Sequence, residues 1–400
     1  ADIDAPEAWD EGTGSDGVIV AVIDTGVNYD HSDLAANMWL NTGEIATNGV
    51  DDDGNGFVDD VYGYDFVNGD GDPMDDYDHG SHCSGTIGGV GNNGEGVAGV
   101  SWNVRIMAVK VFDANGSGTA EAIINGIEYA VLMGAHISNN SYGGYGFSQA
   151  EYDAIEAARN AGHLFVAAAG NESNDNDSFP AYPASFDLDN IISVAATDRN
   201  DGMAYFSNYG LTSVDLGAPG VDIYSTLSGG GYGSMSGTSM ATPHVTGAAA
   251  LVLSMNTQLS YDQLRDLLLG GADPIESLDG KVVTGGRLNV FNALTPGGGG
   301  SVAGGAIVAY FTFDDGGEHA EDFTVANDHL DGWRRAAQLQ GNAVFDATEA
   351  FGSEIDTDGD ELPDWWEIAM GMDPYSALSD DGADADLDGD GLTALYEYWS

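Results

Sequence analysis

The stretch VIVAVIDTG at residues 18–26 decides the fold, because six consecutive apolar residues end at Asp24 and a glycine turn. An uninterrupted apolar run of this length is typical of a strand buried on both faces of a parallel sheet. Similar runs follow at residues 105–111, 136–139, 164–168 and 191–195. Apolar side chains also recur at helical spacing, at residues 119–133, 148–161 and 242–253. This alternation predicts an α/β fold in which helices flank a mostly parallel sheet.

The 400-residue chain is strongly acidic, with 66 Asp and Glu against 9 Lys and Arg and a formal net charge of −57. Such a field repels nucleic acid and anionic membranes, so we expect neither as a partner. Two explanations of the acid remain open, namely Asp-rich metal loops and a surface suited to high salt. The chain has only two lysines, Lys110 and Lys281, which favours the second explanation.

The cysteine content and the first residues of the sequence bear on disulfide bonding, processing and membrane insertion. Cys83 is the single cysteine, which excludes an internal disulfide. The sequence begins at ADIDAPEAWD, directly before folded-looking sequence, and contains no signal peptide or stretch long enough to span a membrane. We therefore expect a mature or processed form and no membrane insertion.

A glycine-rich stretch, TPGGGGSVAGGA at residues 295–306, divides the chain. Its composition predicts a flexible linker at 296–305 after a first domain at 1–295. The next sequence, AIVAYFTFDD, resembles the opening strand of laminin-G-like folds. Residues 306–350 are too few to close such a sandwich, so a small hairpin is expected there. Residues 351–400 carry two Asp-rich loops.

Three motifs supply an acid, a base and a hydroxyl, and they are VIDTG at 22–26, DHGSH at 78–82 and GTSMATPH at 237–244. A serine hydroxyl is a poor nucleophile at neutral pH, so it needs a base to take its proton and an acid to orient that base. Taken singly, the three residues have structural explanations as a turn former, a packed histidine and a helix cap. Their occurrence in three matching contexts favours a catalytic set.

The order Asp, His, Ser and the residues around each make the chain resemble the subtilisin-like serine protease family, especially its thermitase-type and proteinase K-type branches. The resemblance covers residues 1–295 and implies a subtilisin-like three-layer sandwich. It implies an endopeptidase in which Asp24 orients His79, His79 moves the proton, and Ser239 attacks the peptide carbonyl. It also implies that Asn171, which ends VAAAGN, and the amide of Ser239 bind the oxyanion. We further expect a secreted monomer from which a propeptide has been removed.

Substrate peptides in this family bind like an added β-strand, and the resemblance assigns two walls and a pocket to them. These are Gly116, Ser117 and Gly118 on one wall, Ser141, Tyr142 and Gly143 on the other, and Ala168, Ala169, Gly170 and Glu172 at the pocket. Simple turn chemistry is the alternative for the glycines. Because the pocket residues are small and mostly apolar, we expect broad specificity with a preference for bulky residues. Ala120, where relatives often carry an aromatic residue, leaves a more distal subsite open.

Two candidate calcium loops precede His79, and the first of them alternates oxygen-bearing residues around a glycine turn, as calcium requires. The first, NGVDDDGNGFVDD at 48–60, offers Asp51, Asp53, Asn55, the carbonyl of Phe57, and Asp60. The second, YDFVNGDGDPMDD at 64–76, resembles a thermitase-type calcium loop, which implies Asp65, Asn68, Asp70, Asp72 and the carbonyl of Met74. A weaker third set combines Asp33 with VGNNGEGV at 90–97 through Gly91, Asn93, Glu95 and Val97.

The C-terminal loops follow EF-hand-type spacing. DTDGDELPDWWE offers Asp356, Asp358, Asp360, Leu362, Asp364 and Glu367. DLDGDGLTALYE offers Asp386, Asp388, Asp390, Leu392 and Glu397. Both resemble thrombospondin type 3 or dockerin-like calcium repeats, and a solvated acidic loop is the alternative. The sequence thus predicts several Ca²⁺ sites and no organic cofactor.

Two residues near the predicted base need separate interpretation. Cys83 follows the second histidine of its motif, as in thiol-dependent branches of the family, and a small buried side chain beneath His79 is the expected role. Asp78 directly precedes His79, and its carboxylate would raise the pKa of the imidazole if the two groups were close. Two other functions stay open: a calcium-dependent adhesion protein with an incidental protease-like domain, and a narrowly specific processing protease.

Overall fold

The computed structural model of the protein describes residues 3–296. Nine strands form one sheet in the order β10-β11-β7-β6-β5-β4-β1-β3-β2. Their bounds are β1 Gly14–Asp24, β2 Gly63–Asp65, β3 Asn103–Lys110, β4 Ile137–Asn140, β5 Leu164–Ala168, β6 Ile191–Thr197, β7 Leu216–Pro219, β10 Asp273–Pro274 and β11 Gly286–Arg287. All neighbours pair in parallel except β10 and β11. The strands β8 (Ile223–Thr226) and β9 (Tyr232–Met235) form a separate antiparallel hairpin.

Helices cover both faces of the sheet. They are α1 Ala5–Glu11, α2 His79–Gly88, α3 Ala120–Leu132, α4 Gln149–Asn160, α5 Thr238–Met255, α6 Tyr261–Gly270 and α7 Val290–Leu294. Successive residues of β1 supply opposite faces, since Val20 and Val22 pack with the apolar residues of α5, whereas Ala21 and Ile23 pack with those of α3 and α4. The predicted three-layer α/β fold is confirmed.

The sheet also explains where a site is built. The strand β1 lies between β3 and β4. After β1 the chain forms β2 and β3 on one side of it, and then crosses to form β4 on the other side. A parallel sheet binds ligands outside the carboxyl ends of its strands at such a switch point. Asp24 is the last residue of β1 and stands at this point.

The five predicted strands and three predicted helices are present, β5 with its predicted ends and the others with shifted ends. The shift that matters for the site concerns α5. The helix begins at Thr238, four residues before the predicted Thr242, which puts Ser239 inside its first turn. Within residues 3–296, none of the helices combines the length and hydrophobicity needed to cross a bilayer. The predicted linker after Pro296, the segment 306–350 and the module 351–400 lie outside the described residues.

Candidate active site

Asp24 and His79 meet at the carboxyl end of β1. Asp24 is buried, and its Oδ1 accepts a hydrogen bond from the amide of Thr25 at 2.7 Å. His79 is the first residue of α2, and its Nδ1 lies 2.8 Å from Oδ1 and 3.0 Å from Oδ2 of Asp24. The side chain of His79 is 22% exposed, so Nε2 can face solvent or substrate while Nδ1 is held.

The charge environment of His79 favours its protonated form. Burial lowers the pKa of the imidazole, but the carboxylates of Asp24 and Asp75 more than offset this effect, so the net pKa lies above the ordinary value. An imidazole in such a field takes up a proton more readily than one in water. That is the property a general base needs when a neighbouring hydroxyl must be deprotonated.

Ser239 is held in the first turn of α5 by contacts that a proline makes necessary. Pro243 lies inside this helix and has no N–H, so the carbonyl of Ser239 lacks its intrahelical donor. The hydroxyl of Ser141 donates to that carbonyl at 2.9 Å, and the thiol of Cys83 lies 3.4 Å from it. In return, Oγ of Ser239 donates to the carbonyl of Ser141 at 3.0 Å. The candidate nucleophile is therefore anchored to the predicted substrate wall.

Asn171 lies across the cleft from His79. Its Oδ1 accepts from the amide of Thr238 at 2.8 Å and from the hydroxyl of Thr238 at 3.0 Å, so the side chain caps α5. With Oδ1 engaged, Nδ2 is the end available to a ligand. A cleft of about 480 Å³ is lined by Tyr77, His79, Asn171, Met235, Ser236, Gly237, Ser239 and Met240. Three of the four predicted catalytic residues thus border one cavity, and Asp24 supports it from behind.

Two of the predicted substrate residues neighbour residues that line this cleft, since Ser141 contacts Ser239 and Gly116 lies beside Tyr77. Residues 116–118 are exposed in a turn that Asp113 closes through its Oδ1, which accepts from the amide of Ser117 at 3.0 Å. A Cβ on Gly116 would meet the ring of Tyr77 at 3.1 Å, which connects the turn to the cleft. On the other wall Ser141 is buried, Tyr142 is half-buried and Gly143 is exposed.

The predicted pocket residues follow β5. Ala168 and Ala169 are buried, and Gly170 has φ +111, where a Cβ would lie 2.3 Å from Nδ2 of Asn208. A side chain at Gly170 is therefore excluded by both conformation and space. Glu172 is exposed and accepts from the hydroxyl of Tyr145 at 2.8 Å and the amide of Asn171 at 2.9 Å. Its carboxylate is thus hydrogen-bonded to the backbone of Asn171, a residue that lines the cleft.

Asp78 does not act on His79 as its sequence position suggests. Its backbone has φ +81, and its Oδ1 accepts from the amide of Ser228 at 2.9 Å and from the Ser228 hydroxyl. The carboxylate that raises the pKa of His79 besides Asp24 is Asp75, which the sequence analysis did not single out as a candidate. Cys83 is fully buried as expected, and burial raises the pKa of its thiol well above the ordinary value.

The first predicted calcium loop gathers carboxylates in a different combination. Oxygens of Glu44, Asp53 and Asp60 lie within 4.8 Å of one another, and Asp60 is fully buried. Within the described residues, their hydrogen-bond donors are neutral: backbone amides, two asparagine amides and the hydroxyl of Tyr129. Burial raises the pKa of Asp60, as expected for an acid without a cationic partner. An all-oxygen, negatively charged set of this kind fits Ca²⁺.

Other members of that loop have supporting contacts. Asp51 accepts from the amides of Gly54 and Gly56 at 2.7 Å and 2.9 Å, and Asn55 Oδ1 accepts from the amide of Phe57 at 2.7 Å. Both residues therefore shape the turn in this structure. Glu44 was missed because it precedes the loop, and only its long-range contacts to Asp52, Asp53 and Asp59 reveal it.

In each of the other two predicted loops within the described residues, some of the predicted residues contact one another. In the second, Asp65 is buried and accepts from Nδ2 of Asn68 at 2.8 Å, and Asp65 pairs with Asp70 through the backbone. Asp72 accepts from the hydroxyl of Tyr29 at 2.8 Å and from the amide of Met74 at 3.3 Å.

In the third loop, the carboxylate of the fully buried Asp33 accepts from Nδ2 of Asn93 at 2.6 Å and from the amide of Val97 at 2.8 Å. Glu95 lies nearby and accepts from the hydroxyl of Ser32 at 2.7 Å, whereas Gly91 packs against Trp102. The predicted ligands from Asp356 to Glu397 lie outside the described residues.

Comparison with known proteins agrees with this geometry. The sequence profile of the Subtilase family matches residues 15–306. Thermitase of Thermoactinomyces vulgaris is 40% identical over 292 residues, which cover 73% of this chain and 93% of that enzyme. A thermophilic serine proteinase of Bacillus sp. (strain AK1) is 42% identical over 288 residues, which cover 72% of this chain and 64% of that protein.

A solved structure is similar as well. The crystal structure of a cold-adapted subtilisin-like serine proteinase superposes with a TM-score of 0.58 at 36% identity, covering 70% of this chain and 91% of that one. Fold, profile and relatives agree on one class of enzyme, the subtilisin-like serine proteases. The chain belongs to the subtilase family, and it is a serine endopeptidase.

Proposed function

We propose that this chain is a secreted, calcium-stabilised endopeptidase in which Asp24, His79 and Ser239 form the catalytic triad. The observation that carries the proposal is the contact of His79 Nδ1 with Asp24 at 2.8 Å, in a cleft that His79 shares with Ser239 and Asn171. His79 takes the proton of the Ser239 hydroxyl as Oγ attacks the scissile carbonyl, and it then donates that proton to the leaving amine. Asp24 keeps the imidazole in the orientation and tautomer that this transfer requires.

The oxyanion formed in this step is bound by Nδ2 of Asn171 and by the backbone amide of Ser239. The amide lies in the first turn of α5, where unpaired N–H groups and the helix dipole favour negative charge. Release of the Ser239 hydroxyl from the Ser141 carbonyl, its partner at 3.0 Å, accompanies substrate binding. Water then hydrolyses the acyl-enzyme by the same proton transfers in reverse.

Substrate binds as an extended strand between residues 116–118 and 141–143. Small residues at Ala168, Ala169 and Gly170 support a roomy, mostly apolar pocket and hence broad specificity with a preference for bulky residues. Calcium in the loops at 48–60 and 64–76 stabilises the segment that leads into His79. We further propose a peptidase domain at 1–295, a linker at 296–305 and C-terminal calcium loops in 351–400, in a monomer released from a propeptide.

Replacement of the candidate nucleophile tests this function. Ser239→Ala should abolish hydrolysis of a casein substrate and labelling by a fluorophosphonate probe, because no other group can form the acyl-enzyme. Ser254→Ala is the matched control, since it lies in the same helix and its hydroxyl donates to the carbonyl of Leu251 in the turn before it, at 2.6 Å. Retained hydrolysis in Ser239→Ala, with a thermal transition equal to that of Ser254→Ala, would exclude the proposed triad.

A further inference from the structure

A second carboxylate lies buried beneath the proposed triad. Asp75 is 5% exposed, and its Oδ1 accepts from the hydroxyl of Thr25 at 2.8 Å and from the amide of Tyr77 at 2.9 Å. Its Oδ2 accepts from the amide of Ser81 at 2.9 Å. Four hydrogen bonds to one carboxylate are formed in total, because the amide of Asp78 also donates to Oδ1 at 3.2 Å.

These contacts replace the ordinary cap of α2. The N-cap residue, Asp78, has left-handed backbone angles and makes no side-chain cap bond. The first free amides of the helix are paired from other segments: Gly80 donates to Oγ1 of Thr25 at 2.9 Å, and Ser81 donates to Asp75. The first turn of a helix otherwise leaves these amide donors without partners. By accepting hydrogen bonds from them, Asp75 and Thr25 fix the orientation of the first turn of α2, where His79 lies.

Thr25 connects this cap to the other partner of His79. Its amide donates to Oδ1 of Asp24 at 2.7 Å, and its hydroxyl donates to Asp75. Its carbonyl accepts from the buried ammonium of Lys110 at 2.6 Å. Thr25 thus links Asp24 to Asp75, the two carboxylates whose charges raise the pKa of His79.

We propose that Asp75 is a positioning residue that holds His79 against Asp24 and supplies a second negative charge to the imidazole. This inference rests on the proposed function of His79 as the general base. Asp75 does not touch substrate or the reacting atoms. It acts through α2, through Thr25 and through its charge.

The electrostatic part follows from the groups that face His79. Asp24 on β1 and Asp75 on the preceding loop are the anions that raise its pKa. The thiol of Cys83 and the imidazole of His82, both on α2, carry no charge near neutral pH, because burial raises the pKa of the first and lowers that of the second. Asp78 faces Ser228, and the N-terminus of α2 itself disfavours a cation. Asp24 and, to a smaller extent, Asp75 therefore counter the effects of burial and of the helix dipole on the pKa of His79.

Asp75→Asn tests the proposal, with Asp78→Asn as the matched control. The first variant removes the charge and puts an amide N–H where Ser81 must donate, whereas the second removes an acid next to His79 that faces away from it. Since neutral His79 is the active form, activity rises with pH through its pKa. The acidic limb of kcat/KM should move to lower pH in Asp75→Asn only, and plateau kcat should fall about tenfold at nearly unchanged KM.

Identical acidic limbs in Asp75→Asn and wild type, or an equal shift in Asp78→Asn, would overturn the inference. If Asp75→Asn does not fold, Thr25→Val tests the positioning role instead. This variant keeps the charge of Asp75 and the shape of the side chain at position 25, and it removes the hydroxyl that bonds Asp75. A fall in kcat without movement of the acidic limb supports positioning, and an unchanged kcat refutes it. Ser239→Ala, assayed in parallel, separates the two hypotheses: its activity tests the triad itself, whatever Asp75→Asn does.

Discussion

Asn171 shows how one side chain serves both the fold and the proposed chemistry. Its Oδ1 caps α5 through Thr238, and this contact aims Nδ2 at the cleft. Asn171→Ala should lower kcat by about 100- to 1000-fold through loss of an oxyanion donor. It should also cost about 1 kcal/mol of unfolding free energy through loss of the cap.

Asn171→Asp separates these two effects. An aspartate keeps the cap acceptor but replaces the donor with an acceptor, so stability should be retained while kcat falls at least as far as in the alanine variant. Kinetics on a peptide anilide together with thermal unfolding would measure both. A kcat that recovers in Asn171→Asp would mean that the cap, rather than the donor, controls activity.

At the same scale, the sequence predicted the proposed catalytic side chains but not the charges around them. Motif order was sufficient to bring Asp24, His79 and Ser239 into one prediction. Adjacency in sequence suggested that Asp78 influences His79, but a left-handed backbone turns that carboxylate toward Ser228. The charge of Asp75 acts on the imidazole from a position held by three amides of its own segment and by the hydroxyl of Thr25. The contact with Thr25 joins residues 50 positions apart, which no local pattern reports.

At the scale of elements, the start of α5 was the least predictable feature that matters. Apolar periodicity placed the start at Thr242, but the helix begins at Thr238 and contains Pro243. A proline in this position normally ends a helix because the carbonyl four residues earlier loses its donor. Here Ser141 on another strand end supplies that donor to Ser239. The extra turn, and with it the position of the proposed nucleophile, therefore depends on a contact between distant elements.

An ion pair joins α6 to the residue that precedes β7, and it allows a prediction about how these two elements stabilise each other. Arg265 Nη2 lies 2.7 Å from Oδ1 of Asp215, whose Oδ2 accepts from the amide of Ser193 at 2.7 Å. Asp215 is buried, and burial raises its pKa against the opposing effect of Arg265. Arg265→Ala should lower the unfolding free energy by about 3–5 kcal/mol, because the carboxylate is left buried and unpaired.

The deficit should depend on pH. Without Arg265, Asp215 would bind a proton more tightly in the folded state than in the unfolded chain. The stability of Arg265→Ala should therefore decrease as pH rises, and its loss of unfolding free energy relative to wild type should be smaller in acid. Arg159→Ala is the control, since its partner Asp189 is 65% exposed at 3.6 Å and the pair should contribute less than about 1 kcal/mol. Equal losses in the two variants, measured by urea unfolding, would contradict this assignment.

For the whole molecule, the sequence predicted the layered fold because long apolar strands and amphipathic helices alternate regularly. The loop at 48–60 was predicted as a metal site from spacing, and the structure brings together a candidate set that spacing alone does not give. Glu44 joins Asp53 and Asp60 from outside the loop, whereas Asp51 is occupied by loop amides. Ligand sets that combine separate segments require the folded chain, so only their approximate location follows from the sequence.

The last prediction concerns calcium and the whole chain. Metal bound only by the folded state stabilises it by mass action, and both N-terminal loops lead directly into His79. A chain ending at Pro296 should therefore keep full activity in calcium, because the glycine-rich segment proposed as a linker would decouple the proposed C-terminal loops. Chelator should inactivate it with autolysis beginning between about Asn48 and Asp78, as mapped by mass spectrometry.

Two controls isolate the cause. The same shortened chain with Ser239→Ala cannot cut itself, so chelator should lower its melting temperature without producing fragments. Asp60→Asn should reduce the calcium-dependent rise in melting temperature. Asp16→Asn, at an exposed acid that pairs with Arg105 at 3.3 Å, should not. Insensitivity of the shortened chain to chelator would exclude the N-terminal calcium loops. Loss of activity in calcium would instead mean that residues beyond Pro296 contribute to the catalytic domain.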